Sequence, residues 1–318
     1  MVDRALATRS TLLGDAGLDA VRVFNGSSDG IDGLAIEKLG EVCIVQLHEE
    51  KLTWDEGRVR SLAEAFHSRL GTRAVYRKVF VRDRGHVPEH VSTLHRDRQP
   101  WIGEPVDEEI PVRENGLRLM IRPYDGFSVG LFLEHRDNRR RVRELAAGRR
   151  VLNLFSYTGG FSVVAAAGGA VSAASVDLSR RCLEWSKRNF AANRIDAGGH
   201  RFFRSEAFDF HRRARRQGHR YDLIILDPPT FSRVPHAKKV FRLAVDLEPL
   251  VAGAVDLLEP GGIILLAAND REIPLARLEE SLHKARPERR CAIVERPALP
   301  VDFAGDPDYS KTVIARFE

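Results

Sequence analysis

The sequence predicts an α/β protein: a doubly wound sheet with a small α+β domain ahead of it. Two observations carry this expectation. From Val112 onward, short apolar runs alternate with helical segments at β-α spacing, which implies repeated β-α units and a parallel sheet. Before about residue 105 the apolar runs are instead separated by glycine-bearing turns, the pattern of a small antiparallel sheet. The expected domains are therefore residues 1–105 and 106–318, with the boundary near the charged, aperiodic stretch from Asp83 to Pro105.

In the first part, Val21-Arg-Val-Phe24, Gly33-Leu-Ala-Ile36 and Val42-Cys-Ile-Val-Gln-Leu47 read as strands, with Asn25-Gly and Asp29-Gly as tight turns. Thr53-Trp-Asp-Glu56 has capping-box spacing, and Val59, Leu62, Ala63, Phe66 and Leu70 follow at helical intervals until Gly71 stops the helix. Ala74 to Val81 reads as a further strand. In the second part, Val151 to Phe155 is a strand, and Thr158-Gly-Gly-Phe161 opens a helix through the alanines at 165–167. Val171 to Val176 is a second strand ending at Asp177, followed by a helix from Ser179 to Asn193. His200 to Phe203 and Tyr221 to Leu226 are the third and fourth strands. A long helical segment up to Leu258 then stops at Glu259-Pro-Gly-Gly262 and feeds a fifth strand, Ile263 to Leu266. Cys291 to Val294 and Thr312 to Ala315 complete the sheet.

Composition narrows the function classes. The 318 residues carry 50 Lys+Arg against 45 Asp+Glu, a net charge of +5, with 43% hydrophobic and 30% charged residues. That balance excludes disorder as the dominant state, and no apolar run approaches the roughly 18 residues of a membrane span. Cys43, Cys182 and Cys291 are too far apart for a ligand cluster, so neither a disulfide framework nor a metal site is expected, and a reducing cytoplasm suits them. The opening Met1-Val-Asp-Arg-Ala-Leu has no basic end followed by a long apolar run, so a secretory signal is not expected. The arginine-weighted charge permits a polyanionic partner.

In doubly wound sheets, ligands sit beyond the carboxyl ends of the strands, where strand order reverses. Three features fall there. Ser156-Tyr-Thr-Gly-Gly-Phe161 follows the first strand, Asp177 ends the second, and Asp227-Pro-Pro-Thr-Phe231 ends the fourth. A strand-end acid about 20 residues after a glycine loop can accept both hydroxyls of a ribose. Without G-x-G-x-x-G nothing cradles a pyrophosphate, so the adenosine of S-adenosylmethionine fits better than that of a dinucleotide. Two prolines after Asp227 take the chain rigidly out of the sheet, leaving a carboxylate, the Pro228 carbonyl and the Phe231 ring, a face large enough to stack on a purine.

Asn153-Leu-Phe-Ser-Tyr-Thr-Gly-Gly-Phe161, Val176-Asp-Leu-Ser179, Leu183-Glu-Trp185, Arg188-Asn189 and Leu226-Asp-Pro-Pro-Thr-Phe-Ser232 together resemble the class I methyltransferases of 23S ribosomal RNA. Within them the resemblance is to the guanine-N7 enzymes that form the C-terminal half of the bifunctional Rlm K/L proteins. Gly130-Leu-Phe-Leu-Glu-His-Arg136 resembles the same group's approach to the cofactor domain. Asn25-Gly-Ser-Ser-Asp-Gly-Ile-Asp-Gly-Leu34 resembles the small domain shared with the cytosine-C5 rRNA methyltransferases.

The resemblance implies a Rossmann-like methyltransferase sheet and S-adenosylmethionine as cofactor. It implies that Asn153, Phe155, Ser156, Tyr157, Thr158 and Gly159 line the cofactor, with Asp177 on its ribose and Leu178 beside it. Glu206 and Ala207 would stand near the adenine, Asp227 at the cofactor and target base alike, and Arg136 either at the methionine carboxylate or as a solvated charge. Asp227, Pro228 and Phe231 form the implied catalytic loop.

Covalent C5 chemistry is not expected, because neither Asp227 to Phe231 nor Leu265 to Asp270 contains a cysteine. The expected activity is methylation of a guanine, at N7, in large-subunit rRNA without a covalent intermediate. Other readings are another base nitrogen, a small molecule, or a non-catalytic RNA-binding protein on the same fold. The arginines of 139–150 and of His211-Arg-Arg-Ala-Arg-Arg216 either bind phosphates or form solvated faces, and His135, His211 and His236 show no metal spacing.

Overall fold

The computed structural model describes residues 1–81, 87–233 and 240–318. Part of the expected boundary stretch (residues 83–86) and His236 lie outside the described residues. The chain forms two compact units: Met1–Arg136 with Pro300–Asp306, and Asp137–Leu299 with Pro307–Glu318. The division thus falls about 30 residues later than the sequence pattern suggests.

The first unit contains α1 (Val2–Thr8), α2 (Ser10–Leu13), β1 (Ala20–Asn25), β2 (Leu34–Leu39), β3 (Val42–His48), α3 (Glu56–Leu70), β4 (Ala74–Phe80), α4 (Glu89–Leu94), β5 (Ile102–Gly103), β6 (Ile110–Glu114) and β7 (Leu117–Ile121). Strands β1 to β5 form one sheet in chain order, antiparallel except for β3 and β4. That parallel pair follows from α3, a crossover that returns the chain to the same end of the sheet. Asp55, not Thr53, caps α3, accepting the Arg58 N–H at 2.9 Å, and Gly71 ends it in the left-handed region as expected. The β6–β7 hairpin joins this unit because its Arg113 pairs with Asp19 through backbone and side chain, which explains the later boundary.

The second unit contains α5 (Arg136–Leu145, its first residue in the other unit), β8 (Arg150–Leu154), α6 (Gly160–Ala167), β9 (Ser172–Asp177), α7 (Arg180–Ala192), β10 (Arg201–Arg204), α8 (Ala207–Arg216), β11 (Tyr221–Leu226), β12 (Phe231–Arg233), β13 (Val240–Arg242), α9 (Leu243–Val255), β14 (Leu258–Ala268), α10 (Leu275–Lys284), β15 (Cys291–Glu295) and β16 (Lys311–Phe317). Its seven-stranded sheet runs β10-β9-β8-β11-β14-β16-β15. Pairing is parallel from β10 to β14, but β16 is antiparallel to both neighbours, so the sheet is mixed rather than wholly parallel.

Strand order reverses between β8 and β11, which sets the switch-point crevice beyond Leu154 and Leu226. The core lies between this sheet and its helices, with Leu152, Ile224, Ile264, Leu250 and Val251 fully buried. The expected single helix before Leu258 is instead a two-stranded hairpin, β12–β13, followed by the shorter α9. Among the described residues no helix is long and apolar enough to cross a membrane, and none of their His, Cys, Asp and Glu side chains form a cluster able to hold a metal ion.

Candidate active site

The loop after β8 is conformationally expensive. Phe155 and Tyr157 sit at φ 56° and 47°, and Gly159 at 76°, so three of five consecutive residues occupy the left-handed region. Side chains rarely adopt that region unless the surroundings enforce it, and such strain gathers where a ligand is held. Here the enforcement is visible: Ser156 N–H donates to the Val176 carbonyl at 3.0 Å and Tyr157 N–H to the Asp177 carboxylate at 2.9 Å. Gly159 is required by contact as well as by angle. A Cβ there would lie 1.9 Å from Ser186 Oγ on α7.

Asp177 is the hub of this rim. Its two oxygens accept from Tyr157 N–H and, at 2.8 Å, from Ser179 N–H, and a carboxylate so held keeps acceptor capacity for a ligand hydroxyl. Burial pushes its pKa up, and the backbone donors of Ser179, Tyr157 and Leu178 pull it back. Beside it, Ser156 Oγ and Asn153 Oδ1 are buried without a hydrogen-bond partner among the described residues, while Asn153 Nδ2 donates to Ser162 Oγ at 3.0 Å. Buried polar atoms are usually paired, so two such atoms, one near the end of β8 and one on the loop that follows it, fit a polar group that completes them. Thr158 is fixed from below: its carbonyl accepts from Asn189 Nδ2 at 2.8 Å.

Glu206 caps α8, one carboxylate oxygen accepting the Asp209 N–H at 2.9 Å, and Ala207 is the first residue of that helix. Ser205 N–H donates to the Asp177 carbonyl, which ties this cap to the β9 rim.

At the end of β11, Asp227 is half-buried, Pro228 buried, and Thr230 exposed. Phe231 is 47% exposed, so it stands outside the core. Phe241, opposite Ser232 in the hairpin, is buried, with its ring 5.2 Å from the Phe155 ring. The hairpin that carries Phe231 is thus packed onto the strained loop.

Arg136 opens α5. It belongs to the first unit, is 3% exposed, and grips Asp302 with both terminal nitrogens at 3.0 and 2.6 Å. A guanidinium whose fork holds a carboxylate has its charge neutralised there, and at this burial it is not a solvated charge.

The Arg139–Arg150 stretch is mixed, with Arg140 exposed. Arg139 is buried, Arg141 pairs with Glu295 and Glu144, and Arg150 with Asp222 and Glu259. In α8, Arg212 and Arg215 face solvent and pair with Asp209 and Asp256, the solvated helix face. His211 is buried with both ring nitrogens unpartnered among the described residues, and His135 is buried.

A family model described as S-adenosylmethionine-dependent methyltransferase matches residues 34–315. The chain belongs to this methyltransferase family. Relatives of the methyltransferase include "Ribosomal RNA large subunit methyltransferase K" of Neisseria meningitidis, 36% identical over 69% of this chain and 62% of that protein. "Ribosomal RNA large subunit methyltransferase" of Deinococcus radiodurans is 34% identical over 89% of this chain and 69% of that protein. The methyltransferase thus spans somewhat under to slightly over two thirds of these relatives' length. Among solved structures it is similar to SMU.776, a methyltransferase complexed with SAH, with TM-score 0.86 and 27% identity, covering 99% of this chain and 80% of that one. S-adenosylmethionine is the cofactor, and the partnerless Ser156 and Asn153 atoms and the acceptor sites of Asp177 fit its polar groups.

Proposed function

We propose that this methyltransferase methylates a base of large-subunit ribosomal RNA, with guanine N7 as the acceptor atom. The observation that carries the reading is Phe231: an aromatic ring left 47% exposed directly after Asp227-Pro-Pro, on a hairpin packed against the cofactor loop. An exposed ring at a methyl-transfer rim is a stacking platform, and base–aromatic stacking contributes about 1–3 kcal/mol per base. The ribosomal substrates named for the relatives support RNA as the partner. An enzyme with that substrate works in the cytoplasm.

S-adenosylmethionine supplies an electrophilic methyl group on a sulfonium. Guanine N7 has a free lone pair at neutral pH. The N7–carbon bond forms as the sulfur–carbon bond breaks, positive charge passes to the guanine ring, and no proton has to leave. The residues therefore need to orient rather than deprotonate, which is catalysis by proximity. In this reading Asp177 holds the ribose, and Asn153 and the 155–159 loop line the methionine end. Leu178, Glu206 and Ala207 border the adenine. Phe231 stacks the turned-out guanine while Asp227 and the Pro228 carbonyl hold its edge.

A covalent C5 route would need a thiolate at the rim. Burial pushes the Cys182 thiol up, and Cys291 opens β15 at the amino end of the sheet.

The test is methyl transfer from labelled S-adenosylmethionine to unmodified large-subunit rRNA, followed by nucleoside mass spectrometry. Formation of 7-methylguanosine supports substrate and atom together, whereas another methylated nucleoside overturns N7. Cofactor binding without any labelled RNA overturns the RNA assignment, and failure to bind the cofactor leaves a non-catalytic RNA-binding protein. Phe231→Ala is expected to lose turnover while keeping cofactor affinity.

A further inference from the structure

The β12–β13 hairpin alternates, with Val240, opposite Arg233, half-buried on the outer face. Ser232 and Phe241 face inward, Phe241 being buried, while Phe231, Arg233 and Arg242 are all exposed. Side chains two apart on a strand, and those directly opposite across an antiparallel pair, share a face. Arg233 is two residues beyond Phe231, and Arg242 is the registered partner of Phe231. One face of the hairpin therefore presents an aromatic ring with one guanidinium beside it along the strand and another across from it.

Among the described residues neither guanidinium has a carboxylate partner. This sets them apart from Arg141, Arg150, Arg215 and Arg277, each held in an ion pair. The Arg233 guanidinium instead lies over the Phe231 ring, 5.6 Å from its centroid. An exposed cation–π contact of this kind is weak and easily exchanged for a full charge pair.

We propose that Arg233 and Arg242 form a phosphate clamp for single-stranded RNA, gripping the backbone on either side of the base that stacks on Phe231. The clamp rests on the reading that Phe231 takes an RNA base. A nucleotide chain offers alternating flat bases and anionic phosphates, and the face offers a flat ring between two unneutralised cations. Arg233 covers the ring when no base is present and swings to a phosphate as the base takes its place. The arginines are positioning residues: they act on the backbone, contribute no sequence readout, and touch no reacting atom.

The experiment measures binding and methylation of unmodified large-subunit rRNA across a salt series for wild type, Arg233→Ala, Arg242→Ala, the double variant and Arg290→Ala. Arg290 precedes β15 at the opposite, amino end of the sheet and serves as the control. Each clamp variant should lower the slope of log affinity against log salt by about 0.7, and the double variant by about 1.4, as expected per phosphate contact on a single strand. KM for RNA should rise roughly two- to fivefold per arginine with kcat and cofactor affinity unchanged. Wild-type slopes in both clamp variants, or an equal change in Arg290→Ala, overturn the clamp while leaving the RNA reading standing. A wild-type protein that binds the cofactor but shows no salt-dependent RNA binding overturns the RNA reading, and the clamp with it.

Discussion

Gly159→Ala tests the strained loop directly. The residue sits at φ 76°, where an L side chain costs about 1–2 kcal/mol. The new methyl would also meet Ser186 Oγ at 1.9 Å, its Cβ at 2.7 Å and its Cα at 3.3 Å, and Ser186 is fully buried on α7. Rotating the hydroxyl relieves only the first contact, so α6 and α7 must part, an overpacking cost of about 1–3 kcal/mol. The total is about 2–5 kcal/mol, read as a shift in the urea midpoint, with cofactor affinity lost alongside it. A double-mutant cycle divides the two causes. In a Ser186→Gly background the overpacking disappears and only the backbone cost remains, so about 1–3 kcal/mol should be recovered as coupling. Additive costs, within about 0.5 kcal/mol, would refute the close approach of this loop to α7.

Three further outcomes follow from the buried groups. Asp302→Ala should cost about 3–5 kcal/mol in urea unfolding, because it removes the buried carboxylate that Arg136 grips with two nitrogens and the acceptor of the Arg22 N–H. Asp177→Asn should weaken cofactor binding by calorimetry roughly 10- to 100-fold, the loss of a charged acceptor, without lowering stability, since burial already works against the charge. His211→Leu should stabilise the protein by about 1–3 kcal/mol, since it removes two buried unpartnered nitrogens. Burial lowers the His211 pKa to about 4, so as pH falls the unfolded chain takes the proton first. Its stability is full above about pH 6.5 and is lost on the way down to pH 4, on the order of 3 kcal/mol, and urea midpoints of the leucine variant should lack that share of the loss.

The rim was legible because each of its strands is a short apolar run closed by one informative residue: β9 by Asp177, and β11 by the Asp227-Pro-Pro turn that follows it. The direction of β16 was not, since an antiparallel strand in a buried sheet has the same apolar run as a parallel one. The β12–β13 hairpin escaped for a different reason. Three residues per strand give one inward side chain each, Ser232 and Phe241, too few to distinguish alternation from the start of the apolar period that continues into α9. The capping of α3 was misplaced by two residues because Thr53 and Asp55 both carry a cap-type side chain, and only the Arg58 N–H decides between them.

Arg136 shows where local pattern ends. In sequence it opens an arginine-rich run, and charge runs usually mean solvent. Its partner lies 166 positions away, on the short Pro300–Asp306 segment that leaves the sheet between β15 and β16 to join the first unit. There Asp302, fully buried, also accepts the Arg22 N–H, while Arg22 pairs with Glu37 and Arg9 with Asp29, all nearly inaccessible to water. Each of these residues taken alone reads as surface, because an isolated charge would not survive burial. Only their mutual arrangement makes burial tolerable, and that arrangement is a property of pairs brought together from residues 9 to 302. A charged cluster of this kind adds little net stability over an apolar core, yet removing one member leaves a charge stranded. In the Pro300–Asp306 segment the one carboxylate of Asp302 meets both the Arg136 fork and the Arg22 backbone N–H, so a shift of the segment would unmake both contacts together.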